Sequence, residues 1–79
     1  MYKIKYNRNI IKNISKIPIN IKRSIKKAIE ERLAVDPVLF GKPLKGEWKG
    51  CYRLRVGDYR IIYEVNDLEV IVIIIKIGN

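Results

Sequence analysis

The chain has 79 residues, of which 48% are hydrophobic and 32% are charged, a composition of globular rather than disordered proteins. We expect a single domain over residues 1–79. Lys and Arg number 17 against 8 Asp and Glu, so the net charge is +9. This charge predicts a polyanionic partner, nucleic acid or an acidic protein segment, or else serves solubility alone.

Missing residue types exclude several kinds of chemistry. The chain has no histidine, which excludes a histidine acid–base pair and Ser-His or Cys-His nucleophiles. With only one cysteine, Cys51, it lacks metal-ligand spacing and can form no internal disulfide, so we expect no metal and no cofactor. The longest apolar run, residues 70–75, is too short to span a bilayer, and the N-terminus resembles no secretory signal. We therefore expect a cytoplasmic protein with no membrane partner.

The first third of the chain predicts a strand and two helices. Residues 2–6 alternate polar and apolar side chains, as in a strand. Asn7 or Asn9 can cap a first helix over about residues 8–16. Pro18 interrupts this helix and suits the first turn of a second one.

The second helix is predicted from an amphipathic stripe, and we expect it to end at Asp36-Pro37, because a residue before proline avoids the α region. Its opposite side, with Lys22 and Lys26, is expected to be a solvated face. The apolar positions of the first helix are Ile10, Ile11, Ile14 and Ile17, and those of the second are Ile21, Ile25, Ala28, Ile29 and Leu33.

Residues 38–49 are predicted to form a loop that carries three candidate RNA-binding lysines. Lysines beside flexible glycines can follow phosphates, although an ordinary soluble loop has the same composition. Trp48 is expected to anchor the loop to the core, and base stacking is the alternative. The three lysines are Lys42, Lys45 and Lys49.

The remainder predicts a three-stranded meander over residues 50–56, 59–65 and 68–77. Its turns are expected at Gly57-Asp58 and Asn66-Asp67. The last strand is almost continuously apolar, which favours a central position in the sheet. These elements predict an α+β fold of order β-α-α-β-β-β, with the two N-terminal helices on one face of a mostly antiparallel four-stranded sheet.

The Gly57-Asp58 turn predicts which side chains share a face. Arg55 then lies opposite Arg60, and Arg53 lies on the same face, away from the helices. Like charges directly opposite each other destabilise a sheet, so the cluster indicates a site for an anion such as phosphate. The alternative is neutralisation by Glu64 and by Glu69, which we expect to lie opposite each other across the second turn.

The sequence also resembles a known family. The segments Gly41-Lys42-Pro43-Leu44-Lys45-Gly46 and Tyr52-Arg53-Leu54-Arg55-Val56-Gly57-Asp58-Tyr59-Arg60-Ile61-Ile62-Tyr63-Glu64-Val65 resemble the RelE/ParE toxin superfamily of type II toxin–antitoxin systems. The resemblance implies a toxin that a cognate antitoxin neutralises. RelE-type members cleave messenger RNA in the ribosomal A site, and the candidate catalytic residues here are Arg53, Arg55 and Arg60.

One departure from the family pattern keeps other functions open. Active RelE-type members usually continue beyond the glycine that matches Gly78 with a basic segment and often a tyrosine, whereas this sequence ends at Asn79. The expectations are therefore a RelE-like messenger RNA endonuclease, weakened or inactive without that tail. The alternatives are a ParE-like inhibitor of DNA gyrase and a catalytically dead remnant that binds the antitoxin.

Overall fold

The computed structural model describes all 79 residues. The elements in chain order are β1 (Lys3–Tyr6), α1 (Arg8–Ile14), α2 (Ile19–Ala28), α3 (Pro37–Phe40), β2 (Lys42–Pro43), β3 (Cys51–Val56), β4 (Tyr59–Asn66) and β5 (Ile71–Gly78). A π turn, Ile29–Leu33, continues α2, and a short 3₁₀ turn, Gly46–Trp48, precedes β3.

The sheet confirms the predicted α+β class, with one more strand than expected. Its strand order is β1-β5-β4-β3-β2. Strand β1 runs parallel to β5, and every other neighbouring pair is antiparallel. The fifth strand is the two-residue β2, which pairs with Tyr52 and Arg53 at the edge. Strand β5 lies between β1 and β4, as its apolar sequence predicts.

The two predicted helices cover one sheet face. Asn7 caps α1, because its side-chain oxygen accepts a hydrogen bond from the Asn9 N–H at 3.0 Å. Helix α1 ends at Ile14, earlier than predicted, and Ile11 is 60% exposed rather than part of the core. Pro18 is the residue immediately before α2. No helix has the length and apolar character needed to cross a membrane.

The segment after Asp36 is not a continuous loop, contrary to the prediction. The Asp36 side chain accepts a hydrogen bond from the Leu39 N–H at 3.1 Å, and Pro37 occupies the first helical position. Both features favour the start of a helix, so α3 begins at Pro37, shortly after the π turn that ends at Leu33.

The turn between β4 and β5 also differs from the prediction. It occupies residues 67–70, so β5 begins at Ile71 instead of Leu68. The Asn66 side chain accepts a hydrogen bond from the Glu69 N–H at 3.1 Å, and Val70 has a φ of 57°. Further along, the register between β4 and β5 shifts and leaves Ile75 as the extra residue of a β-bulge.

The core lies between the helices and the sheet, and Tyr63 is its largest fully buried side chain. The Tyr63 hydroxyl donates a hydrogen bond of 2.6 Å to the Pro37 carbonyl, and the ring stacks on Tyr52 at a centroid distance of 5.8 Å. Burial, and then the charge interaction with Tyr52, raise the pKa of Tyr63 above its ordinary value. The hydroxyl occupies the space beside Gly41 that a side chain would need. Tyr63 thereby joins α3 to the centre of the sheet.

Candidate nucleic-acid interface

The hairpin of β3 and β4 has the predicted register. Arg55 lies opposite Arg60, and Arg53 lies opposite Ile62. Gly57 adopts a φ of 59° in the two-residue turn, a conformation that glycine accepts without strain. The alternating neighbours Leu54 and Ile61 are buried beneath the helices. The backbone positions of all three arginines therefore belong to the sheet face that the helices leave uncovered, which we call the open face.

The neighbouring strands add cations to the open face. Lys42 of β2 is the register partner of Arg53, and Lys76 of β5 is the register partner of Ile62. By the same alternation, Lys3 and Lys5 of β1 belong to this face, opposite Ile71 and Ile73. Seven cationic positions result: Lys3, Lys5, Lys42, Arg53, Arg55, Arg60 and Lys76.

Carboxylates do not lie opposite the three arginines. Glu64 is on the open face, but its register partners are Cys51 and Ile73. The predicted pairing of Glu64 with Glu69 is wrong, because Glu69 belongs to the longer turn before β5. Arg55 and Arg60 thus face each other with no acidic residue in register, an arrangement that destabilises an unoccupied sheet.

The sequence predicts a single anion site among the three arginines, but the structure does not place them around one common cavity. Arg60 and Lys76 line a cavity of about 120 Å³ on the open face. Arg55 lines a different cavity of about 340 Å³ between the hairpin and α2, and the half-buried Arg53 lines neither. The separation arises because β2 pairs only with Tyr52 and Arg53, which leaves Arg55 at a free edge of the sheet.

The segment that carries the loop lysines lies beside β3. Lys42 lies in β2, while the exposed Lys45 and Lys49 flank the 3₁₀ turn. Trp48 within that turn is 37% exposed and lies outside the core cluster, so it is not the fully packed anchor that was predicted. The backbone instead holds the segment through a hydrogen bond of 3.0 Å from the Leu44 N–H to the Cys51 carbonyl.

Cys51 lies on the open face and is buried. Burial, and then the charge of Glu64, raise the pKa of its thiol. A protonated, buried thiol is a poor nucleophile, so Cys51 is a structural residue.

A second surface feature lies on the helical side of the molecule. A groove of about 410 Å³ runs between α1, α2 and the end of β5, and Lys22 and Lys26 stand at its border. We call it the apolar groove. Its remaining lining residues are Tyr6, Ile11, Ile14, Ile17, Ile25, Ile29 and Ile77.

The sequence does not predict three cations that line the cavity at Arg60 or the cavity at Arg55. Lys76 joins Arg60 because β5 pairs with β4 beyond the bulge, and only the register across that bulge could have revealed it. Lys27 and Arg32 line the same cavity as Arg55. The spacing of Lys27 and Arg32 along the helix is typical of a solvated face, and no sequence pattern indicates that this face lies beside the hairpin.

Comparison with known proteins identifies the class to which this fold and basic hairpin belong. Residues 4–79 match the family described as the ParE toxin of the type II toxin–antitoxin system parDE. The chain belongs to this family, and it is a RelE-like toxin of a type II toxin–antitoxin system.

Individual relatives agree with this assignment. The chain is 26% identical to the toxin RelG of Mycobacterium tuberculosis over 78 residues, covering 99% of this chain and 90% of RelG. Its fold matches the toxin–antitoxin complex RelBE2 of the same organism with a TM-score of 0.92 at 26% identity, covering 99% and 96% of the two chains. The intact RelBE complex of E. coli matches with a TM-score of 0.84 at 26% identity, covering 100% and 96%.

Proposed function

We propose that the chain is a RelE-type endonuclease that cuts messenger RNA in the ribosomal A site, in the cytoplasm. The 2′-hydroxyl oxygen attacks the adjacent phosphorus and loses its proton, while the bond from phosphorus to the 5′-oxygen breaks and that oxygen gains a proton. The products carry a 2′,3′-cyclic phosphate and a 5′-hydroxyl. RNA itself provides the nucleophile, so the protein must mainly orient the phosphate and stabilise its developing charge.

The observation that carries this proposal is the cavity shared by Arg60 and Lys76. These two cations come from adjacent strands and line one recess on the open face. A guanidinium presents a planar fork of donors that fits two phosphate oxygens, and an ammonium adds a compact charge beside it. Arg60 is the residue to which we assign stabilisation of the transition-state phosphate.

The other candidate residues receive supporting roles. Arg53 and Arg55 bind the RNA phosphates and favour ionisation of the 2′-hydroxyl by their charge. Neither acts as a general base, because arginine stays protonated in proteins. Three further lysines, at the hairpin edge and in the adjoining loop, bind the backbone of the RNA beyond the cleaved bond: Lys42, Lys45 and Lys49.

A RelB-type antitoxin is the second partner that we propose. The similar M. tuberculosis and E. coli structures are complexes of toxin and antitoxin. The apolar groove has the form that an amphipathic helix needs, and Lys22 and Lys26 at its border favour acidic residues on that helix. The antitoxin would thus hold the toxin through a surface separate from the open face.

The nuclease proposal is tested by inducing the wild type and the Arg60→Ala variant and mapping the ends of cellular messenger RNA during translation. We expect cuts at codon positions with the wild type and a loss of about 100-fold or more in cleavage with the variant. The matched control is Arg23→Ala, which removes an exposed arginine of α2 that lines neither the open-face cavity nor the apolar groove. This control should cut like the wild type.

Other outcomes would replace the proposal. Intact messenger RNA together with DNA damage would indicate a gyrase inhibitor of the ParE type. Absence of any growth effect from a chain that still binds its antitoxin would indicate an inactive remnant. Equal loss of cleavage in Arg60→Ala and Arg23→Ala would show that overall charge, and not the open-face cavity, determines activity.

A further inference from the structure

The cavity that Arg55 lines also contains cations to which the reaction described above gives no role. It has a volume of about 340 Å³ and lies between the second half of α2 and the tip of the β3–β4 hairpin, so we call it the hairpin pocket. Three cations and one carboxylate line it: Lys27, Arg32, Arg55 and Glu31. The charges sum to an excess of two positive charges in one recess.

The hairpin pocket is built by the irregular part of the helix. The Ala34 N–H donates to the Ile29 carbonyl, the spacing of a π turn, and such turns occur frequently at functional sites. Leu33 within this turn is fully buried, while Arg32 beside it lines the pocket. The helix therefore keeps its core contact and at the same time directs a guanidinium toward the hairpin.

Arg55 connects the hairpin pocket to the open face. It lies opposite Arg60 in the hairpin register and also lines the pocket with Lys27 and Arg32. A polyanion that passes Arg60 therefore meets a continuous series of cations around the free edge of β3. This continuity favours a nucleic acid strand over an isolated anion, because successive phosphates can occupy successive basic sites.

We propose that the hairpin pocket is a second phosphate-binding site, which holds a backbone phosphate of RNA while the reacting phosphate lies at Arg60. The proposal rests on the proposed function, because RNA is the substrate in both. Two guanidiniums and an ammonium bind the phosphate oxygens, and Glu31 offsets one of the three positive charges of the pocket. Lys27 and Arg32 fix the path of the RNA and do not take part in bond cleavage, while Arg55 belongs to both sites.

The first test measures binding of a single-stranded 2′-O-methyl RNA, which cannot be cleaved, as a function of salt concentration. The variant is Lys27→Gln with Arg32→Gln. The control is Lys12→Gln with Arg23→Gln, which removes the same charge from exposed positions outside the pocket. We expect the pocket variant to bind several-fold more weakly than the control, and its salt slope to fall by about 0.7 for each phosphate that the protein no longer neutralises.

The second test titrates the protein with inorganic phosphate and follows backbone amide signals by NMR. Saturable shifts at Val56 and Gly57 in the wild type, absent from the pocket variant, are the expected result. RNA binding equal to that of the control, or no phosphate-dependent shift at these two residues, would overturn the proposal.

The two proposals fail in different ways. If Arg60→Ala abolishes cleavage while the pocket variant behaves like its control, the second site is wrong and the nuclease stands. If the wild type neither binds nor cleaves RNA, the nuclease is wrong, and the phosphate titration still decides whether the hairpin pocket binds phosphate.

Discussion

Gly41 is the position at which the smallest added side chain should cause the largest loss of stability. A Cβ atom at Gly41 would overlap the Tyr63 hydroxyl oxygen and lie 2.8 Å from Cζ of the same ring and 3.1 Å from the Pro37 carbonyl oxygen. Tyr63 cannot easily move, because it is fully buried and its hydroxyl bonds to that carbonyl at 2.6 Å. The variant Gly41→Ala must therefore displace either the ring or the backbone of α3.

The expected cost has two parts. Overpacking a core contact costs about 1–3 kcal/mol. Displacing the hydroxyl leaves a buried polar group without its partner, which costs about 1–3 kcal/mol more. For a domain of this size, each 1 kcal/mol lowers Tm by roughly 4–8 °C, so the variant should melt at least about 10 °C below the wild type.

Urea and thermal unfolding followed by circular dichroism measure this loss. Gly78→Ala is the matched control, since a Cβ there meets no atom within 4 Å, and its effect should stay within about 0.5 kcal/mol. Adding Tyr63→Phe to Gly41→Ala removes the overlapping oxygen and should recover part of the stability, with a coupling energy above about 1 kcal/mol. Wild-type stability in Gly41→Ala would refute the reasoning.

Three further positions, Tyr63, Val70 and Leu33, give substitutions with defined outcomes. Tyr63→Phe leaves the Pro37 carbonyl without its donor and should lower the free energy of unfolding by about 1–3 kcal/mol in urea titrations. Because burial raises the pKa of Tyr63, its titration lowers wild-type stability only as the pH rises above about 10, and the variant should lack this part of the decline. A β-branched residue at a φ of 57° costs about 1 kcal/mol of strain, so Val70→Asn should raise Tm by relieving this strain. An unchanged Tm would argue against strain. Leu33→Ala should cost about 2–5 kcal/mol, whereas Leu39→Ala, at a residue that is 71% exposed, should cost little; equal losses would contradict the burial pattern.

Local signals account for the parts of the fold that could be predicted. The Gly57-Asp58 turn determined the register of the hairpin and hence the shared face of Arg53, Arg55 and Arg60, because a two-residue loop allows only one pairing. The stripe of apolar residues likewise located α2. Asp36-Pro37 carries two signals, one for the end of a helix and one for the start of the next, and the prediction of a loop over residues 38–49 depends on the first signal alone.

The rest could not be predicted because no local residue signals it. The turn before β5 has neither glycine nor proline and places Val70 in a left-handed conformation. The bulge at Ile75 and the π turn at Ile29–Leu33 likewise contain no glycine or proline that would mark them in the sequence. The partition of the arginines between two cavities depends on the shortness of β2, so the shared face was predicted correctly and the single common pocket was not.

The parallel pairing of β1 with β5 has a consequence for the time at which the toxin becomes able to act. Lys3 pairs with Ile71, so the earliest strand to be synthesised waits for the latest one before the sheet can close. Such long-range pairing is slow to form because the intervening chain must first be ordered. Nascent chains should therefore lack the closed sheet until β5 has left the ribosome.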